Sequence, residues 1–274
     1  MTEKSPPPNE AERRRWNDAR WVDQWPKRER LTTSVSPKLM EMAALQEGER
    51  VLDIGCGAGG TSMISAEAVG SSGSVVGADI SDGLVELART RTADAGIGNA
   101  TYLVADMQTA ELDAVFDIAL SQFGVMFFDE PSAAFANIRR HVRPGGRLVF
   151  ACWQNIDRNP WHTSPALRSF VPEPRVPAAG KSPTGPFVLA DPEETTDILS
   201  RAGFEDVRFT GFDLTVDGPA DAVIEESLFG FMGIADRDVD QVRLVMDAHL
   251  RQFEMGPDFY RFPLSFWIVE AINP

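Results

Sequence analysis

The stretch Val51-Leu52-Asp53-Ile54-Gly55-Cys56-Gly57-Ala58-Gly59-Gly60 constrains this chain more than any other. Four mostly apolar residues read as a buried strand, the glycines as a tight loop, and the residues from Thr61 on as a helix. Glycine lets backbone turn sharply and approach a bound molecule without a side chain in the way. Such a strand–loop–helix passage suits a nucleotide-like cofactor. Gly55, Gly57 and Gly60 also satisfy the G-x-G-x-x-G spacing used for dinucleotides, with Asp79 as a plausible ribose partner. A pyrophosphate, however, wants donors and no nearby anion. Here Asp53 sits two residues before the first glycine, and residues 51–60 contain no Lys or Arg. That environment favours a cation.

The pattern hydrophobic-Asp-hydrophobic-Gly-x-Gly-x-Gly resembles the first motif of the class I S-adenosylmethionine-dependent methyltransferases, and Arg143-Pro144-Gly145-Gly146 before a fifth apolar strand strengthens the resemblance. The order of elements agrees. Apolar strands at 51–54, 75–78, 101–105, 116–120 and 147–151 alternate with helices at about 60–69, 82–95 and 131–142, which predicts a parallel sheet covered on both faces. A helix at 195–202, a strand at about 206–215 and a last strand at 264–269 complete the layout. The expected fold is α/β: a doubly wound, mostly parallel seven-stranded, Rossmann-like methyltransferase sheet with an antiparallel last strand and helical cap insertions.

The expected organisation is a disordered tail at 1–10 and N-terminal helices at 11–46 (one at about 36–46) that form part of a cap. A cofactor-binding core spans 47–153 and a proline-rich cap insertion 154–190. Residues 191–274 complete the core, with a helical cap insertion at about 217–260 that holds the amphipathic run Ala222–Met232 and a helix at Val239–Phe253. Trp16, Trp21 and Trp25 are spaced as if along one helix face.

The resemblance implies roles residue by residue. Gly55, Gly57 and Gly59 would pass under the methionine part of S-adenosylmethionine, and Asp53 would hold its ammonium. Asp79 would take both ribose hydroxyls, since a carboxylate offers two acceptor oxygens. Ile80 and the Met107 backbone would flank the adenine, Asp106 would accept from its amino group, and Ser121 and Gln122 would lie near the sulfonium. Trp25, Phe123, Phe127, Trp153, Trp161 and Phe229 are the candidate substrate pocket. His162 is the candidate base, because an imidazole titrates near neutrality and this one follows the fifth strand. His141 reads as a charge partner for the end of its helix, His249 as a surface residue, and Asp129-Glu130 as a solvated helix start.

Composition narrows the partners. With 41 acidic residues against 26 Lys and Arg, the net charge is −15, which disfavours a nucleic-acid partner despite short basic runs such as Arg13-Arg14-Arg15. No apolar run reaches the ~20 residues of a membrane span, and the polar, proline-rich start has no signal-peptide core, so a cytoplasmic location is expected. Two cysteines, Cys56 and Cys152, make neither a disulfide framework nor a metal site. The expected activity is methyl transfer to a small, apolar or aromatic molecule, on oxygen or carbon, by an enzyme that needs no metal and is a possible homo-oligomer. An NAD(P)-dependent oxidoreductase and a non-catalytic binding module are the alternatives.

Overall fold

The computed structural model describes residues 9–160, 170, 185–219, 238–257 and 259–274. Before the sheet come three helices, α1 (Glu10–Trp16), α2 (Ala19–Thr32) and α3 (Ser36–Ala43). The core follows as β1 (Arg50–Ile54), α4 (Gly60–Val69), β2 (Ser74–Asp79), α5 (Asp82–Asp94), β3 (Ala100–Val104), β4 (Phe116–Gln122), α6 (Pro131–Arg140) and β5 (Val142–Trp153). The C-terminal part holds α7 (Pro192–Arg201), β6 (Glu205–Gly218), α8 (Val239–Leu250), β7 (Glu254–Gly256) and β8 (Phe259–Ile272).

The strands form one sheet in the order β3-β2-β1-β4-β5-β8-β6, with short β7 added against β8. Strands β1 to β5 pair in parallel, and β8 enters antiparallel between β5 and β6. This is the Rossmann-like methyltransferase sheet expected from the sequence. The central strands are near-continuous apolar runs because helices cover both faces: Val51, Leu52, Ile118, Ala119 and Leu120 are fully buried. The chain order reverses between β1 and β4, so the carboxyl ends of these strands open onto a crevice.

Several boundaries differ from expectation for local reasons. Helix α3 stops at Ala43 because Ala44 takes a left-handed conformation (φ 46°). Helix α6 ends at Arg140, and the stretch 143–146 is part of β5 rather than a free turn. Asn273 holds it there: its Nδ2 donates to the Val142 carbonyl at 2.6 Å, and its own carbonyl accepts from Gly145 N at 2.7 Å. The three N-terminal tryptophans are not on one helix, since the chain breaks after Trp16 and restarts at Ala19. Nor does the tail extend to residue 10. Asn9 is buried, and α1 begins directly after it. The last strand runs 14 residues, well beyond 264–269. The segment 239–253 is an α-helix closed by a short 3-10 turn over Arg251–Phe253. The run Ala222–Met232 and most of the proline-rich insertion lie outside the described residues.

Candidate active site

The glycine loop is built from β1 outward. Gly55 N and Cys56 N both donate to the Ala78 carbonyl at the end of β2, at 2.8 and 3.2 Å, which pins the loop to the neighbouring strand. Gly55, Gly57 and Gly59 have φ of 66°, 53° and 81°, a region that disfavours any side chain. A Cβ on Gly55 would stand 2.6 Å from the Cα of Gly124, because the loops after β1 and β4 touch. A Cβ on Gly57 would stand 2.4 Å from Cζ2 of Trp25, whose indole lies against the loop from α2.

A cavity of about 640 Å³ opens beside this loop. Its walls include Asp79, Ile80, Asp106 and Met107 from the end of β2 and the loops after β2 and β3, and Gln122, Phe123 and Trp153 from the ends of β4 and β5 and the turn after β4. Asp79 Oδ2 accepts from Gly57 N at 2.8 Å and Oδ1 from Ser81 N at 2.9 Å, and the Ile80 backbone N–H also donates to this carboxylate. Burial raises its carboxyl above the ordinary range, while the backbone donors pull it down. Asp106 Oδ1 accepts from Asn9 Nδ2 at 2.8 Å and from Gln108 N at 2.9 Å.

Asp53, Gly57, Gly59 and Ser121 are not among the residues lining the cavity. Asp53 is wholly buried behind the loop. Its Oδ2 accepts from Thr61 Oγ1 at 2.6 Å and Ser62 Oγ at 2.5 Å, while Oδ1 has no partner. Burial pushes this carboxyl up to about 6, against the two hydroxyl hydrogen bonds, and the charge of Asp79 adds to the rise. In this arrangement Asp53 braces the first turn of α4. Ser121 is likewise structural: its hydroxyl donates to the Ile54 carbonyl at 2.7 Å and accepts from Gly124 N at 3.1 Å.

Gln122 lines the cavity and is clasped by the N-terminal helices. Its Nε2 donates to the Thr32 carbonyl at 3.2 Å, and its Oε1 accepts from Ser36 Oγ at 2.8 Å. Phe123 takes φ 64°, rare for a bulky residue and a mark of a specialised turn. Its ring stacks on Trp153 at 4.0 Å between centroids. Trp16, Trp21, Trp25 and Phe127 add to the walls, with Trp16 4.8 Å from Trp21 and 5.1 Å from Phe127.

Sequence reasoning missed the anchoring of the N-terminal helices. Asn9 N donates to Asp129 Oδ2 at 2.8 Å, and Asp129 N donates to Asn9 Oδ1 at 2.7 Å. Asp129 therefore does not mark a merely solvated helix start. Ser81 Oγ donates to the Trp16 carbonyl at 2.7 Å, and Asp82 N donates to Asn17 Oδ1 at 2.9 Å. A polar Asn-Glu pair before a helical pattern was the available signal for the start of α1. His141 is buried, with its ring 3.3 Å from the Ala110 carbonyl. His249 is not a free surface residue, since its ring nitrogen lies 2.7 Å from the Pro160 carbonyl. His162, Trp161 and Phe229 lie outside the described residues.

The donor set fits an adenosyl sulfonium compound better than a pyrophosphate. Glu12, Glu29, Glu67, Asp79 and Asp106 line the cavity, and Arg91 is the one Lys or Arg among the described lining residues. Arg91 Nη1 is already engaged, 3.0 Å from Glu29 Oε1 and 3.0 Å from the Ala58 carbonyl. No group of three or more His, Cys, Asp or Glu placed to hold a metal occurs among the described residues.

The profile of a family described as a methyltransferase domain matches residues 51–146, which carry the glycine loop, Asp79 and Asp106. Over this segment the chain is similar to that methyltransferase-domain family. It is similar to an aklanonic acid methyltransferase of Streptomyces sp. (strain C5), with 36% identity over 119 residues, covering 43% of this chain and 54% of the relative. It is also similar to the nocamycin O-methyltransferase of Saccharothrix syringae, 28% identical over 199 residues, covering 68% and 70%. The chain thus spans about half the length of the first of these two relatives. Among solved structures, a phosphoethanolamine N-methyltransferase 2 of Haemonchus contortus in complex with S-adenosyl-L-methionine superposes with a TM-score of 0.63 at 16% identity, covering 96% of this chain and 60% of that one. At that identity the likeness shows the fold.

Proposed function

We propose that the protein binds S-adenosylmethionine and transfers its methyl group to a small, apolar or aromatic molecule, on oxygen or carbon. The observation that carries this reading is Asp79. It is buried at the end of β2, oriented by backbone N–H groups, and its carboxylate, with two acceptor oxygens, lines the cavity. Two adjacent ribose hydroxyls need that pair of acceptors. Ile80 and Met107 offer apolar flanks for a purine, and Asp106 offers the acceptor for its amino group. Gly55 leaves room for the chain that links ribose to sulfur, and the acidic walls suit a positively charged ligand.

When bound, S-adenosylmethionine supplies a methyl group already activated by the sulfonium. The residues then need only hold an acceptor in line and keep water away. The N-terminal helices and the two insertions would supply that enclosure as a cap, with Trp25, Phe123, Phe127 and Trp153 forming apolar walls around the acceptor. Two relatives are named for methylation of aklanonic acid and for O-methylation of nocamycin.

The experiment is calorimetric titration with S-adenosylhomocysteine, S-adenosylmethionine and NAD. Micromolar binding of both adenosyl ligands is expected, with no heat for NAD. Asp79→Ala is expected to weaken adenosyl binding at least about 100-fold, since two hydrogen bonds to a charged group are lost, with its far-ultraviolet circular dichroism unchanged. Binding of NAD alone would overturn the proposal.

A further inference from the structure

Gln122 combines three features. It sits at the carboxyl end of β4, where the sheet opens onto the crevice. Its amide orientation is fixed by chemistry: the Thr32 carbonyl only accepts, so Nε2 must face it, and Oε1 then receives the Ser36 hydroxyl. These two bonds leave one amide N–H and one Oε1 lone pair without partners among the described residues. The side chain is therefore held rigidly from both sides while keeping one donor and one acceptor in reserve. The residue is half-buried at the cavity wall, where a ligand hydroxyl or carbonyl can complete the pair.

The surroundings define that group. Phe123 and Trp153 form a stacked aromatic wall next to Gln122, with Phe262 and Leu264 also lining the cavity. Planar rings pack on such surfaces in offset or edge-on contact. The described lining residues include five acids, and their single guanidinium is already bound by Glu29 and a carbonyl. An anionic molecule finds no unengaged cation there.

We infer that Gln122 is a substrate-orienting residue rather than a cofactor contact. Its reserved N–H and lone pair select a planar aromatic acceptor that carries an uncharged hydroxyl or keto oxygen. This rests on the proposed methyl-transfer reading for the identity of the neighbouring ligand, though the selectivity of Gln122 is measurable without it. The clasp also makes recognition depend on the N-terminal helices, because both partners belong to them: Thr32 closes α2 and Ser36 opens α3.

The test uses the full chain saturated with S-adenosylhomocysteine and three probes of one shape: 1-naphthol, 1-methylnaphthalene and 1-naphthoate. Affinities are read by saturation-transfer NMR. Wild type is expected to bind 1-naphthol at least tenfold more tightly than either of the others. Gln122→Leu is expected to cut the preference over 1-methylnaphthalene below threefold while S-adenosylhomocysteine affinity stays within twofold. Ser36→Ala, which loosens the clasp without touching the amide, is expected to give an intermediate preference. Equal binding of 1-naphthol and 1-methylnaphthalene by wild type, a preference that survives Gln122→Leu, or binding of none of the probes would overturn the proposal. So would loss of S-adenosylhomocysteine affinity in Gln122→Leu with the preference intact, which would return the residue to the cofactor. Tight binding of 1-naphthoate would refute the exclusion of anions. Should wild type fail to bind S-adenosylhomocysteine, the methyl-transfer reading falls, and the same series run without it still decides the role of Gln122.

Discussion

Asp53 and Asp79 lie at the ends of adjacent strands, yet their surroundings give them different work. Asp79 meets the cavity; Asp53 is sealed behind the glycine loop and spends one oxygen on Thr61 and Ser62. Its second oxygen has no partner, and its carboxyl is pushed up to about 6 by burial. The folded protein therefore holds this proton more tightly than the unfolded chain, whose Asp titrates near 3.9. Stability from this group is full below about pH 4 and is lost as pH rises through about 6, a cost of about 3 kcal/mol at neutral pH. Asp53→Asn should remove that slope. Urea midpoints at pH 4.5 and 7.5 are expected to fall with pH in wild type and to fall markedly less in the variant. An equal slope in both would sink the assignment. The motif made an acid at position 53 legible, but not its burial, because a strand-end aspartate reads the same whether its side chain turns to the crevice or to the helix.

The N-terminal helices are fastened to the sheet by polar contacts at the strand ends that frame the cavity. Asn9 bridges Asp106 and Asp129, Ser81 reaches the Trp16 carbonyl while its oxygen caps α5, and Gln122 holds Thr32 and Ser36. Removing the Asn9 side chain leaves the carboxylate of Asp106 and the backbone N–H of Asp129 each short of a partner, at about 1–3 kcal/mol. Asn9→Ala is expected to speed amide hydrogen exchange across residues 9–17 at least about tenfold while exchange in β1 and β4 stays unchanged. Uniform acceleration across the sheet would mean that the helix is integral to the core instead. Little of this could be read from the chain. Strands and core helices announce themselves by runs of apolar residues and by glycine punctuation, since burial on both faces leaves few other solutions. Contacts such as Asn9 with Asp129, 120 residues apart, leave no local periodicity. The same holds for 143–146: Pro-Gly-Gly looks like a turn, and only pairing with the far C-terminus makes it strand.

At the level of the whole molecule, the charge balance bears on stability as well as on partners. A net charge of −15 repels itself in the compact state. Added salt screens this at distances beyond about 8 Å at physiological ionic strength. The melting temperature is expected to rise by a few degrees between 10 and 150 mM NaCl; a fall would show that ion pairs such as Arg147–Glu49 and Arg91–Glu29 outweigh the repulsion. No helix among the described residues is long and apolar enough to cross a membrane. The cavity has one further property. Of the six tryptophans, Trp16, Trp21, Trp25 and Trp153 stand in its wall. A ligand seated there would lie against these indoles, so a shift in tryptophan emission is the expected sign of occupancy, and a library of acceptors can be screened that way before any product is known.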